Sequence, residues 1–473
     1  MTSRTRTLTR PFQVIGRAAA LAAALLVPFG PAMAQSSNRG PTLLRDTEIE
    51  EILHREADPI FAAAGLTPKD VRILLVGDSS LNAFATQGQQ LGLHTGLILE
   101  AETPNQLKGV IAHETGHIAG GHPIRSGELT RAGLKPMLLT MGLGVLALFA
   151  GAPDAGAVLL GNAQYFGTLG ALGYSREQEG RADQAAVGYL EKTRQSGEGL
   201  VEFFDKFRYQ EVFAEARRFP YFRSHPLSSQ RIEMLRSRVS AQPSFPARDT
   251  PEEILEFETM KAKIDGFMNP QLSLTKYKET DTSYPARYAR AIAYYQTKDP
   301  DRAISLIDAM LVEQPDNPYL WELKGQILFE FGRAAEAEFP QRRSVALKPD
   351  AALLRVNLGQ TLINLDDAAK RDEGIAELKR VTLLEDDNAE AWRLLAQAYD
   401  RRGDEGLARL ATAEQYFAVG ALNESRTFAM RARELFPRGG VQWLRATDIV
   451  MASNPNDQDL KDLAREGSAT RRR

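Results

Sequence analysis

The chain has 473 residues, 43% of them apolar and 25% charged, an ordinary globular composition with length enough for about three domains or repeat blocks. It contains no cysteine, which excludes disulfide scaffolds, thiol catalysis and cysteine-held metals, so that any metal must be held by His, Asp or Glu. The net charge of −3 offers no electrostatic case for nucleic acid, and none is expected as a partner.

Residues 1–34 read as a secretory signal peptide. Arg4, Arg6, Arg10 and Arg17 stand without an acid, the apolar run Ala18–Phe29 follows, and Ala32-Met33-Ala34 supplies a small-residue cleavage pattern. The apolar run is shorter than the ~20 residues of a membrane span, and paired arginines are missing, which points to the general export route. Loss of the four arginines takes the net charge from −3 to −7.

Spacing of Ile49, Ile52, Leu53, Ile60 and Phe61 predicts an amphipathic helix over Thr47–Ala64. Val71–Val76 is a predicted strand stopped by Gly77-Asp78, and Ala83–Ala85 and Gln90–Thr95 are predicted short strands of the same small sheet. Leu107–Gly120 reads as a helix. Pro136–Pro153 then runs 18 residues without a charge, and apolar character continues to Leu160. A buried helical hairpin is expected there, with peripheral membrane contact through 136–160 as the alternative. Arg176–Lys192 and Glu198–Glu215 are further predicted helices. Gln242–Thr250, rich in Pro and polar residues, reads as a linker, and Glu252–Phe267 as a bridging helix.

The second half repeats. Ala303 and Ala337, Pro315 and Pro349, and Gly325 and Gly359 each stand 34 residues apart, the period of tetratricopeptide helix pairs. Trp392, Tyr399 and Ala408 fit another unit after a three-residue insertion near Asp366–Arg371, and Tyr416 and Pro437 close a looser one. The predicted organisation is a signal peptide at 1–34, a first domain at 35–241, linker and bridging helix at 242–283, repeats at 284–440, and a C-terminal helix with a basic tail at 441–473. The polar linker makes the two halves separable in this reading.

The chemistry centres on His113-Glu114-Thr115-Gly116-His117, an H-E-x-x-H pattern inside a predicted helix. Residues i and i+4 share a face, so both imidazoles can reach one ion, while Glu114 can contact a water on it. An open zinc site takes three protein ligands. His122 follows His117 by five residues, and a helix continued to that point would aim it well off the shared face, so a structural or surface role is expected for it. Glu179 and Asp183, at i and i+4 on the Arg176–Lys192 helix, are the better candidates. Glu179 can complete the ligands, Asp183 can accept the free N–H of a ligand histidine, and the small Gly180 and Ala182 permit close helix packing. One zinc ion per chain is expected.

These segments, with Leu81-Asn82-Ala83-Phe84-Ala85 upstream, resemble the zinc metallopeptidases of the HtpX and CAAX-prenyl-protease family. The signal peptide and repeats resemble its periplasmic members, which act in outer-membrane protein quality control. The resemblance spans about Asp46–Pro437 and implies a mostly α fold, a helical zincin protease domain with a small β-sheet followed by an α-solenoid of tetratricopeptide repeats. It implies His113, His117 and Glu179 as ligands, Glu114 as base and Asp183 behind them. Partners would be unfolded or misassembled outer-membrane proteins, and the outer-membrane assembly machinery through the repeats. Gln87-Gly88-Gln89 departs from the glycine pair common in relatives.

Ser224-His225-Pro226-Leu227, followed by Arg231-Ile232, also resembles the family. Three roles stay open for His225: a fourth metal ligand that excludes water, a donor to the oxyanion in the transition state, or a helix-start histidine outside the site. In the periplasmic members the equivalent position implies an inhibitory switch. The expected mechanism is metal-assisted peptide hydrolysis, with an extended substrate aligned by strand addition to Gln90–His94. A repeat-based chaperone or adaptor that rarely cuts, and an integral-membrane protease spanning at Pro136–Pro153, are the competing expectations.

Overall fold

The computed structural model describes residues 42–122, 134–141, 143, 153–208, 221, 225, 227–458, 460, 461 and 463. The signal peptide, Pro123, Ser224, Pro226, the middle of the apolar segment, the end of the predicted Glu198–Glu215 helix and most of the basic tail lie outside the described residues.

Strand β1 (Thr42–Leu44) leads into helix α1 (Thr47–Ala63). The Asp46 carboxylate caps α1 by accepting the Ile49 N–H, and Ile49, Ile52, Leu53, Ile60 and Phe61 are all buried against the core, as their spacing predicts. Strands β2 (Arg72–Gly77), β3 (Ala83–Thr86) and β4 (Gln90–His94) complete a sheet of order β1-β2-β4-β3, parallel only between β2 and β4. Gln90–His94 is therefore an interior strand with neighbours on both sides, and cannot take an added strand. Among the described residues, β3 holds the outer edge on that side. The departure at Gln87-Gly88-Gln89 forms the β3–β4 turn, where Gly88 and Gln89 both take left-handed conformations with φ of 80° and 55°.

After α2 (Thr95–Glu100), the chain enters α3 (Pro104–Ala119), capped by Thr103 with Pro104 in its first turn. This helix is almost wholly buried; the next two helices pack directly on it and the third packs on those two. The three are α4 (Pro153–Lys192), α5 (Glu198–Lys206) and α6 (Ser229–Ser240). Arg176–Lys192 is the last part of the 40-residue α4 rather than a separate helix.

The described part of the apolar segment is helical, but Leu138 and Leu139 are 58% and 66% exposed, and Val158 on α4 is 63% exposed. The expected burial fails at these residues. A lack of charge marks a segment as apolar without specifying what covers it. Among the described residues, no helix is long and apolar enough to cross a membrane.

Gln242–Thr250 is tied down rather than loose. Ser196 Oγ donates to the Phe245 carbonyl, the Ser244 N–H donates to Glu191, and Phe245 packs on the core. A Thr250–Glu253 capping box then starts α7 (Pro251–Met268), whose Phe257, Met260 and Ile264 belong to the same core as α1 and α3. Its other face meets the repeats.

Those follow α8 (Pro270–Lys276) as successive helix pairs: α9 (Tyr284–Gln296), α10 (Pro300–Glu313), α11 (Pro318–Glu330), α12 (Ala334–Leu347), α13 (Ala352–Ile363), α14 (Ala368–Leu384), α15 (Ala389–Arg402), α16 (Glu405–Ala418), α17 (Leu422–Leu435) and α18 (Val441–Ala452). The three-residue insertion is absorbed by α14, which has 17 residues where α10, α12 and α16 have 14. Repeat residues also reach back to α1 and the residues just before it: the Tyr288 hydroxyl donates to Glu48 at 2.8 Å, the Tyr319 hydroxyl to Glu51 at 2.6 Å, and Arg45, between β1 and α1, donates to Glu385 at 2.8 Å.

Candidate metal centre

Helix α3 presents His113, Glu114 and His117 to the interior, at 0%, 0% and 7% exposure. Helix α4 lies close against it, and the contact is permitted by Gly116: a Cβ there would stand 2.9 Å from the Ala182 carbonyl oxygen. Gly180, expected to serve that packing, has no neighbour within 4 Å of a would-be Cβ among the described residues, so the close approach is between Gly116 and Ala182. Their proximity puts Glu179 and Asp183 beside the two histidines.

Four donors from three chain segments converge: His113, His117, Glu179 and His225, all buried, with one atom of each within 4.8 Å of the others. His113 Nε2 is 3.2 Å from His117 Nε2 and 3.3 Å from His225 Nδ1. Glu179 Oε1 is 3.1 Å from His225 Nδ1 and 3.4 Å from His117 Nε2, and Oε2 is 3.4 Å from His113 Nε2. Donors about 2.0–2.1 Å from one tetrahedral ion stand about 3.3–3.4 Å apart, close to these five separations, and the N/O chemistry is that of a zinc site. Glu114 adds a second sign of fit. Both its oxygens are buried without a hydrogen bond among the described residues, with Oε1 3.5 Å from His225 Nε2, so a carboxylate waits beside the cluster for a polar partner.

The donors are held from behind. Asp183 Oδ1 lies 3.0 Å from His113 Nδ1, which directs Nε2 of that ring into the cluster. Arg231 grips both carboxylates: Nε and Nη2 donate to Asp183 at 2.6 and 2.9 Å, and Nη1 lies 3.0 Å from Glu179 Oε2. Its guanidinium stands over the Phe204 ring, which also meets the His113 ring edge to face. Burial alone would draw the His113 imidazole down, but Asp183 and Glu179 outweigh it and lift it to about 9. Burial and the neighbouring His113 hold His117 well below its ordinary value. Burial pushes the Asp183 carboxyl up, while Arg231 and His113 overcome this and bring it to about 2.

His225 is delivered by Tyr221. The Tyr221 N–H donates to the Leu81 carbonyl, its own carbonyl accepts the His225 N–H at 2.8 Å, and the two rings lie 4.6 Å apart. That gives the Leu81–Ala85 segment a physical part in the site. Of the remaining histidines, His54 pairs with Asp58 on α1 and His94 sits against Ser80 and Asp78, both away from the cluster. His122 is different: its Nδ1 is 2.8 Å from His117 Nδ1. Sequence reasoning gave no role to Arg231 or Tyr221 and aimed His122 elsewhere. For Arg231 the available signal is its place, with Ile232, in the stretch after His225 that resembles the family.

Residues 44–239 match Peptidase family M48, and residues 275–327 match a tetratricopeptide repeat. The beta-barrel assembly-enhancing protease of Yersinia pestis is 23% identical over 81% of this chain and 79% of its own length. Its namesake from Escherichia coli K12 is 22% identical over 85% of this chain and 82% of its own. The E. coli Metalloprotease LoiP is 30% identical over a shorter stretch, 37% of this chain and 64% of its own. The donor cluster lies inside the stretch that matches Peptidase family M48, and the chain is a metalloendopeptidase that continues from that stretch into tetratricopeptide repeats.

Proposed function

We propose that this chain is a zinc-dependent endopeptidase of the bacterial periplasm that cuts misassembled outer-membrane proteins, with repeats that recruit those clients or their assembly machinery. The observation that carries the catalytic part is the buried four-donor cluster with Glu114 buried beside it. His113, His117 and Glu179 are the ligands in this reading, and Asp183 keeps His113 in the right tautomer. Zinc bound there supplies Lewis acidity toward the scissile carbonyl and a water that ionises near neutral pH. Glu114 takes the water's proton on a carboxylate oxygen and passes it to the leaving amine. The outer edge of β3, rather than the interior β4, can align an extended, locally unfolded peptide by strand addition. The client class is supported by the names of the relatives, and the periplasm by the signal-peptide pattern of residues 1–34.

Purified protein should hold about one zinc per chain and digest casein; chelation should abolish digestion and zinc alone should restore it. Full digestion by the metal-free protein would reject the reading. His117→Ala and Glu179→Ala should each lose the metal.

His225 favours a resting state in which cutting is slow. Its Nδ1 stands among the ligands, where a fourth protein donor excludes the water that Glu114 must activate. His225→Ala should therefore raise casein digestion and self-cleavage with zinc retained. A fall on the order of 10²–10³-fold would instead assign His225 to the oxyanion, and an unchanged rate would remove it from the mechanism. The same contact supports a second reading, in which the closed protein serves clients as a repeat-based chaperone or adaptor.

A further inference from the structure

We infer that His122 is a positioning residue of the metal centre: it accepts the Nδ1–H of His117 and so commits the opposite nitrogen of that ring to the ion. The inference rests on the metal reading above. A neutral imidazole that ligates through Nε2 carries its proton on Nδ1, and a buried N–H needs an acceptor. His117 Nε2 faces the cluster, 3.2 Å from His113 Nε2, and its Nδ1 faces His122 Nδ1 at 2.8 Å. For His113 the Asp183 carboxylate stands 3.0 Å from Nδ1, so each α3 histidine has a potential acceptor beside that nitrogen.

The way α3 ends explains why a residue five places on can reach back. The helix stops at Ala119, Gly120 caps it, and Gly121 turns into the left-handed region at φ 66°. The Gly121 N–H donates to the Ile118 carbonyl and the His122 N–H to the His117 carbonyl, the two crossed bonds of a Schellman ending. This motif brings the second residue past the cap over the third-last helical residue, where apolar contacts usually form. Here those positions are His122 and His117, and a polar contact replaces the apolar one. Gly120 leaves room for it: a Cβ at that position would stand 2.7 Å from His122 Nε2 and 3.0 Å from the Gly116 carbonyl oxygen.

The test uses the full chain, with zinc affinity measured by chelator competition and ligand geometry read from the visible spectrum of the cobalt-substituted protein. His122→Leu fills the usual apolar contact of the motif but offers no acceptor, and should weaken zinc binding 10–100-fold and alter the cobalt bands. His122→Asn returns an acceptor oxygen near the place of Nδ1 and should recover most of the affinity. A purely structural role predicts the opposite order, since leucine packs better there than asparagine. Wild-type affinity and spectrum in His122→Leu would overturn the inference, as would equal losses in the leucine and asparagine variants. Should His122→Leu fail to fold, Gly120→Ala keeps the imidazole but crowds it, and undiminished zinc affinity there would also overturn the inference. Absence of zinc from the wild-type protein would reject the metal reading itself, a result distinct from either.

Discussion

Changing Lys263 to methionine should destabilise the folded protein by about 3–5 kcal/mol while leaving the metal donors untouched, because removing one partner of a buried charge cluster strands the others. Lys263, on α7, is only 3% exposed. Its ammonium donates to Asp46 at 2.9 Å and to Glu48 at 3.0 Å, and Glu48 also accepts the Tyr288 hydroxyl from the first repeat helix. Burial pulls the ammonium toward neutrality, but Asp46 and Glu48 outweigh it and keep the charge. Burial pushes the nearby Glu322 carboxyl up to about 8, with Lys263 the main influence holding it down. Methionine has nearly the volume of lysine and none of the charge, so cavity formation contributes little and the loss reports the stranded carboxylates. Urea unfolding of the full chain measures it. Adding Glu48→Gln should recover part of the loss, the signature of coupled neighbours. A loss below about 1 kcal/mol would show the cluster to be dispensable. Because the cluster draws on α1, α7 and α9, a cut before Ser283 would open it to water and remove Tyr288. The polar composition of Gln242–Thr250 suggests separable halves, but the buried charges behind it tie them together.

What could be read from residues alone was whatever depends on local geometry. An i,i+4 pair on a helix shares a face in any protein, so His113 with His117 and Glu179 with Asp183 announced themselves, and the structure brings these residues together. The 34-residue period worked for the same reason, since each helix pair repeats its neighbour's contacts. Failures came where the answer lay outside the window. His122 was aimed by continuing a helix through Gly121, although two glycines after a histidine-bearing helix are a recognisable stop signal. Strand order is set by non-local pairing, so nothing in Gln90–His94 itself says that it is interior. The burial of Lys263 and the exposure of Leu138 and Leu139 likewise depend on distant segments.

Glu114→Gln should lower peptide hydrolysis by roughly 10²–10⁴-fold while zinc content stays at the wild-type level. The glutamate is fully buried on α3, one residue past a metal donor, and both its oxygens lack hydrogen bonds among the described residues. Glutamine preserves the shape but cannot take a proton from water or return one to the leaving amine, so the loss falls on the chemical step and appears in kcat. It is also distinguishable from a damaged site: His117→Ala loses the metal, whereas Glu114→Gln keeps it. Combined with His225→Ala, the substitution should abolish whatever digestion the single His225 change releases, because an opened coordination position is of no use without a base. Activity of the double variant above that of Glu114→Gln alone would mean that another group accepts the proton. The pair also separates the two functional readings. A benefit to outer-membrane protein assembly that survives Glu114→Gln belongs to binding through the repeats, and one that disappears belongs to cutting.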